Sequence, residues 1–403
     1  MSSRARPPTS HVAPGRARPG WLMSGGTAAL AALLLVGGCS GTATPTPSDR
    51  APTRPASSFP GRPVTPDPDK ITSATRTYLT NIYSPAISNV RAVLVTVDHR
   101  ALVQLYRSST PARAHDVHSV TKSVIATLVG IALSEGRLHS LDDTLATLLP
   151  QHAAEMNSTV RAITLRQLLT MTAGLPPDQA NGNAPASMSG ADWVGNILRT
   201  GTVAPPGRSF AYSSAGSHLL SAILTRATGM SALDYARSRL FGPLGIDSRH
   251  AVEPRTEDKG AIAAYDKADF AWPKDPRGIQ LGFAALKMSP RDMAKLGQLY
   301  LDGGRWNGRQ VVPAQWVKAS TTAQVGTRGD RAALAESYGY QWWVTQERGH
   351  HAFAAFGFGG QVVEVVPDLR LVVVVATEAI EPNLRWEHVR GMIADAIVPA
   401  VGG

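Results

Sequence analysis

At 403 residues the chain is long enough for one large domain or two. Apolar residues make up 43% of it and charged residues 17%, which predicts a globular core and argues against an intrinsically disordered chain. The formal net charge is +10, but no basic run is interleaved with aromatic residues, so we do not expect a nucleic-acid-binding protein. Cys39 is the only cysteine, which excludes an intrachain disulfide.

Residues 1–38 have the pattern of a secretory signal peptide. Four arginines and no acids are followed by an apolar run over 27–36, which is too short to cross a bilayer as a lasting helix. The sequence Val36-Gly37-Gly38-Cys39 resembles a bacterial lipobox. The resemblance implies that Cys39 is lipidated, becomes the mature N-terminus and anchors the protein to the cell membrane, facing the cell exterior or periplasm.

The next stretch, 39–70, is rich in threonine, proline and serine, which indicates an extended linker. The folded domain is predicted over 71–403. Its first elements are a helix over 71–87 and a hairpin formed by strands 90–97 and 101–106 around Asp98-His99-Arg100.

The segment His118-Ser119-Val120-Thr121-Lys122-Ser123 opens a helix that is apolar on nearly all sides and closes near Gly136, which predicts burial. Ser119 and Lys122 lie three apart in its first turn and therefore on one face. A serine hydroxyl needs a base to become a good nucleophile, and a neutral lysine amine can be that base. The alternative from these six residues alone is a helix-capping serine beside a solvated lysine.

Further along, helices are predicted from 163 to about Gly174 and over 219–228, 232–240 and 290–301, with a loop typical of a binding site over 176–189. Strands are predicted over 338–345 and 351–356, followed by a hairpin of 361–366 with 371–376 and a closing helix over 383–398. The expected fold class is therefore α+β: one antiparallel sheet built from both chain ends, with flanking helices and an inserted helical subdomain.

About ninety residues after Ser119-x-x-Lys122, the chain has the sequence Tyr212-Ser213-Ser214. This combination resembles the penicillin-recognising serine hydrolases, which share a β-lactamase/transpeptidase-like fold. The similarity is greatest to the branch of class C β-lactamases, D-alanyl-D-alanine carboxypeptidases, esterases and 6-aminohexanoate-dimer hydrolase. Segments 163–175, 206–212, 240–246 and 339–343 also fit, so the resemblance covers roughly residues 71–400.

The resemblance implies a role for each motif residue. Ser119 would attack a carbonyl and form an acyl-enzyme, while Lys122 and Tyr212 relay protons; which of the two is the general base stays open. The backbone N–H groups of Ser119 and Phe358 would form the oxyanion hole. The remaining implied contacts to substrate come from Ser214, Gly357 and Gly359.

Two positions depart from the family pattern. Ser214 stands where many members have asparagine, which removes an amide contact to substrate. Ala355, in Ala355-Phe356-Gly357, stands where members have lysine or histidine, so the cation that recognises a substrate carboxylate is missing. The missing cation favours the esterase and 6-aminohexanoate-dimer hydrolase branches over penicillin recognition.

We therefore expect a serine hydrolase that cleaves an ester or amide bond in a small molecule or peptide, as a monomer with no cofactor and no metal. Gly-x-Ser-x-Gly and His-Glu-x-x-His do not occur, which argues against an α/β-hydrolase and a zinc protease. The alternative is a non-catalytic lipoprotein that binds peptidoglycan peptides on the same fold.

Overall fold

The computed structural model describes residues 66–81, 85–179, 184–327, 334–378 and 386–402. The predicted signal peptide, Cys39 and the linker as far as residue 65 lie outside the described residues, so those predictions stay untested. Within the described ranges, no helix is both long enough and apolar enough to cross a membrane.

Within the described ranges the α-helices, in chain order, are α1 (Pro68–Asn81), α2 (Pro85–Ser88), α3 (Val120–Ser134), α4 (Leu145–Leu148), α5 (Ser158–Arg161), α6 (Leu165–Leu169), α7 (Trp193–Thr200), α8 (Ser214–Thr228), α9 (Ala232–Ala236), α10 (Ala261–Lys267), α11 (Pro290–Leu301), α12 (Ala314–Ser320), α13 (Trp386–Gly391) and α14 (Val398–Gly402). The strands are β1 (Val90–Val97), β2 (Arg100–Tyr106), β3 (His115–Asp116), β4 (Lys287–Met288), β5 (Arg305–Trp306), β6 (Arg309–Gln310), β7 (Val325–Gly326), β8 (Ser337–Tyr338), β9 (Trp343–Glu347), β10 (His350–Gly357), β11 (Gln361–Val366) and β12 (Leu371–Thr377).

Eight of these strands form one antiparallel sheet in the order β2-β1-β12-β11-β10-β9-β8-β7. Strand β1, from the N-terminal part, pairs with β12, near the C-terminus, with Val95 opposite Val373. The two predicted hairpins form as expected. The prediction that both chain ends build one antiparallel sheet is therefore confirmed.

Helices cover the sheet on both faces because its central strands are apolar on both sides. On one face, Val363 and Val374 pack in a core cluster with helices α3, α8 and α11. On the other, Val362 and Val373 pack against Ile71 of α1 and against the C-terminal segment, including Met392. The result is a central sheet between a large helical layer and a thin layer made from α1 and the C-terminal helices.

Helix α3 lies deep in the helical layer, with every residue from Val120 to Ala132 buried. Its buried hydroxyl groups are hydrogen-bonded: Thr127 Oγ1 donates to the Ser123 carbonyl, and Ser123 Oγ donates to the Gln341 carbonyl, each at 2.7 Å. Burial on all sides explains why the sequence of this helix shows no polar face. It also fixes the position of the Ser119 end relative to the sheet.

The predicted strand over 338–345 is wrong in one respect, because the structure divides it into β8 and β9. Gln341, between them, has a left-handed backbone with φ of 60°. Its buried amide group donates to the carbonyls of Leu168 and Leu169 and accepts from Ser217 Oγ at 2.8 Å. A side chain held by α6 and α8 in this way overrides the strand pattern around it.

Other predicted boundaries shift for local reasons. The helix predicted from 163 to Gly174 is only α6, because Met171 takes a left-handed φ of 57°. The helix predicted over 219–228 begins earlier, at Ser214. In the described residues the closing helix is α13, a π-helical segment Met392–Ile397 and α14, and positions 383–385 of that prediction lie outside them. The first predicted helix is α1 followed by α2.

Candidate active site

Ser119 and Lys122 meet at the start of α3. Ser119 is the residue that precedes the helix, and its side chain makes no capping bond to the helix backbone. Lys122 is 1% exposed, and its Nζ lies 3.1 Å from Ser119 Oγ. The spacing of three residues at a helix start thus places the two groups in hydrogen-bonding contact, as the sequence predicts.

The turn that presents Ser119 is held by the residues before it. His118 has a left-handed φ of 45°, and its N–H donates to Asp116 Oδ1 at 2.7 Å. Burial raises the pKa of the nearby Tyr265 hydroxyl, and the Asp116 carboxylate raises that pKa further. These contacts fix the conformation immediately before the nucleophile position.

Lys122 Nζ has two further acceptors. It lies 3.0 Å from the carbonyl oxygen of Phe283 and 3.2 Å from Ser214 Oγ. It also lies 4.8 Å from the centre of the Tyr212 ring and 5.6 Å from that of Phe283. A nearly buried amine with three oxygen partners is held in one orientation, which an acid–base group requires.

Tyr212 is the second proton-relay residue implied by the resemblance. It is 8% exposed and stacks on Trp343 of β9, with ring centres 5.6 Å apart and an angle of 21° between the planes. Tyr338 of β8 contacts the same ring edge-on. The end of the sheet therefore fixes the Tyr212 ring beside Lys122, and Ser119, Lys122 and Tyr212 form one cluster.

Phe358 follows β10 in a turn that contacts the Ser119 segment. Its ring meets that of His118 edge-on, with centres 5.7 Å apart. A Cβ on Gly357 would lie 2.2 Å from the carbonyl oxygen of Val117, so only glycine permits this approach of strand to nucleophile segment. The structure thus places Phe358 and Ser119, the two expected oxyanion donors, on adjoining segments.

The predicted substrate contacts are arranged less simply. Gly357 lies at the junction just described. The carbonyl of Gly359 accepts a hydrogen bond from Thr377 Oγ1 at 2.6 Å, which ties the turn to β12. Ser214 is buried, and its hydroxyl bonds to Lys122 and to Asp178.

Asp178 and Phe283 are site residues that sequence reasoning missed. Asp178 Oδ2 accepts a hydrogen bond from Ser214 Oγ at 2.7 Å. Asp178 falls in the predicted binding loop, but no spacing pattern distinguishes it from the other acids. Phe283 contributes mainly a backbone carbonyl, which every residue carries, so its side chain could not have signalled the contact.

No group of three or more histidine, cysteine, aspartate or glutamate side chains in the described ranges could hold a metal ion. Ser119, Lys122 and Tyr212 bring together a hydroxyl, an amine and a phenol ring. Such a set can transfer an acyl group to serine and then to water.

Comparison with known proteins decides the family. The sequence model of the family described as Beta-lactamase matches residues 90–395, about three quarters of the chain. The chain belongs to the beta-lactamase family. The family and fold expected from the motifs are thereby confirmed.

Relatives within the beta-lactamase family have different names. The chain is 25% identical to penicillin-binding protein 4 of Amycolatopsis lactamdurans over 64% of this chain and 70% of the relative. It is also 25% identical to 6-aminohexanoate-dimer hydrolase of Paenarthrobacter ureafaciens, over 74% of each chain. A class C beta-lactamase structure from Rhodobacter sphaeroides superposes with a TM-score of 0.59 at 22% identity, covering 83% of this chain and 100% of that one.

Proposed function

We propose that this member of the beta-lactamase family is a serine hydrolase that cleaves an ester or amide bond through an acyl-enzyme on Ser119. The observation that carries the proposal is the contact of Ser119 Oγ with the nearly buried Lys122 amine at 3.1 Å, with Tyr212 against the same amine. A binding protein has no need of this combination. The relative named 6-aminohexanoate-dimer hydrolase supports the amide part of the proposal.

In the first half of the reaction, Ser119 Oγ forms a bond to the substrate carbonyl carbon. Its proton passes to the Lys122 and Tyr212 pair, while the backbone N–H groups of Ser119 and Phe358 stabilise the negative oxygen. The bond to the leaving alcohol or amine then breaks, and the leaving group takes that proton. Water attacks the acyl-enzyme by the same route and releases the carboxylic acid and free Ser119.

The experiment is covalent labelling with a fluorophosphonate together with turnover of p-nitrophenyl butyrate. Wild type should react with both, and Ser119→Ala should lose labelling and several orders of magnitude of turnover. Ser134→Ala is the matched control, because it removes a serine hydroxyl at the other end of the same helix, where the hydroxyl donates to the Ile131 carbonyl. Undiminished turnover by folded Ser119→Ala would refute the mechanism. A folded wild type that reacts with neither reagent would support the alternative, a non-catalytic peptide-binding lipoprotein.

We further propose that the protein is held at the cell membrane by a lipid on Cys39 and acts outside the cytoplasm, as a monomer. The support is the order of features in the sequence: a basic start, a short apolar run, the Val36-Gly37-Gly38-Cys39 motif and a proline-rich linker before the folded domain. A substrate reaching this enzyme would be a small molecule or short peptide in the cell envelope.

A further inference from the structure

The carboxylate of Asp178 occupies a defined place behind Lys122. The backbone of 176–178 runs beside 212–214: the Asp178 N–H donates to the Tyr212 carbonyl at 2.9 Å, and Ser213 Oγ donates to the Pro176 carbonyl at 2.8 Å. Asp178 Oδ1 accepts from the Ser214 N–H and Oδ2 from the Ser214 hydroxyl, each at 2.7 Å. Both carboxylate oxygens therefore accept a hydrogen bond from Ser214.

These contacts determine the direction of the next hydrogen bond. An ionised carboxylate only accepts, so Ser214 directs its single hydroxyl hydrogen to Asp178. Ser214 Oγ can then only accept from Lys122 Nζ, 3.2 Å away. The Phe283 carbonyl, at 3.0 Å, is likewise only an acceptor.

The two fixed acceptors, Ser214 Oγ and the Phe283 carbonyl, determine the orientation of the Lys122 amine. In its neutral form Lys122 has two hydrogens and one lone pair. The hydrogens are directed to Phe283 and Ser214, so the lone pair faces the third neighbour, Ser119 Oγ, at 3.1 Å. This is the orientation that accepts the Ser119 proton during acylation.

We propose that Asp178 is a positioning residue that holds the Ser214 hydroxyl as an acceptor and thereby directs the Lys122 lone pair at Ser119. The proposal rests on the proposed function, since it needs Ser119 to be the nucleophile. It also gives a reason for serine at 214. Serine backed by a carboxylate presents an oxygen acceptor to the lysine, as the side-chain oxygen of asparagine can.

Asp178→Asn tests the direction of the bond with almost no change in shape. The Ser214 N–H can only donate, so the side-chain oxygen of the introduced asparagine must stay beside it as the acceptor. The side-chain NH2 of that asparagine then faces Ser214 Oγ and donates to it. The Ser214 hydroxyl hydrogen is turned towards Lys122, where it competes with the Ser119 proton for the lone pair. A purely structural role, capping the start of α8, predicts the opposite outcome, because asparagine caps helices as well as aspartate does.

The experiment is a double-mutant cycle of wild type, Asp178→Asn, Ser214→Ala and the double variant, with Ser119→Ala alongside. The readouts are the rate of fluorophosphonate labelling, kcat and KM for p-nitrophenyl butyrate, and Tm. Asp178→Asn should lower the labelling rate and kcat about ten- to hundredfold, with little change in KM or Tm. In the Ser214→Ala background the same substitution should change kcat less than about twofold, because no hydroxyl remains to reverse.

An Asp178→Asn variant with wild-type kcat would overturn the proposal. An equal fall in kcat with and without the Ser214 hydroxyl would also overturn it, because the effect would then come from the charge of Asp178 alone. Failure of Asp178→Asn to fold while Ser214→Ala folds would assign Asp178 a structural role instead. If Ser119→Ala still labels and turns over, the proposed function itself fails. If Ser119→Ala is inactive and Asp178→Asn retains wild-type activity, the proposed role of Asp178 is wrong and the proposed function stands.

Discussion

Because residue 355 is alanine, we expect this enzyme to hydrolyse penicillins and cephalosporins poorly. The residue is 1% exposed, lies in β10 opposite Val363, and shares its face of the sheet with Gly357, the contact point with the Ser119 segment. In the family pattern a lysine or histidine at this position binds the substrate carboxylate. A charge-assisted hydrogen bond contributes about 1.5–3 kcal/mol, so its absence should cost roughly ten- to hundredfold in transition-state binding.

The assay compares kcat/KM for nitrocefin, which carries a carboxylate, with kcat/KM for p-nitrophenyl butyrate, which does not. The ester should be the better substrate of the wild type, because the Ser119 and Phe358 backbone donors do not depend on residue 355. Ala355→Lys should raise the nitrocefin-to-ester ratio about tenfold relative to Ala355→Met. Methionine is the matched control, since both long side chains crowd a buried position and only lysine adds charge.

A wild-type nitrocefin value equal to the ester value would refute the reasoning, because another cation would then have to recognise the carboxylate. Equal ratios in Ala355→Lys and Ala355→Met would show that position 355 does not face the carboxylate site.

Three further predictions concern the strand junction, the core and the anchor. Gly357→Ala places a Cβ where the Val117 carbonyl lies, so kcat should fall about a hundredfold through displaced oxyanion donors; an unchanged kcat would contradict this. Burial and the neighbouring Glu347 raise the pKa of Glu364 to about 8, above its ordinary 4.5. The folded state then binds a proton that the unfolded state has released, so stability falls as pH rises from about 4.5 to about 8. Glu364→Gln should therefore unfold at higher urea than wild type at pH 8 but not at pH 4, and parallel pH profiles would contradict this. The Cys39→Ala variant should be lost from the membrane fraction. Mass spectrometry that finds an unmodified Cys39 in the membrane-bound wild type would exclude the lipid anchor.

The parts of the site that sequence could predict are those fixed by short-range geometry. Ser119 and Lys122 are three apart at the start of a helix, and that spacing alone brings their side chains together. The hairpins of β1 with β2 and of β11 with β12 likewise follow from alternation around short turns. Tyr212 is predictable only through its resemblance to a family motif, since nothing local relates it to a helix ninety residues earlier.

The contacts that sequence could not predict join distant segments through common groups. The Phe283 carbonyl that accepts from Lys122 is 161 residues away, and a backbone carbonyl has no signature in the sequence. Gln341 divides a strand pattern because its amide bonds to α6 and α8, some 172 and 124 residues earlier. Such long-range hydrogen bonds override local propensity wherever the groups are buried and must be paired.

Ser214 shows how a residue type can mislead when its partner is unknown. The sequence alone, with serine in place of asparagine, predicts the loss of an amide contact to substrate. In the structure the hydroxyl bonds to Lys122 and to Asp178, which lies 36 residues earlier. A hydroxyl can donate or accept, so its role depends on which neighbour takes its hydrogen. A motif residue of this kind therefore cannot be assigned to the substrate or to the base until the carboxylate behind it has been located.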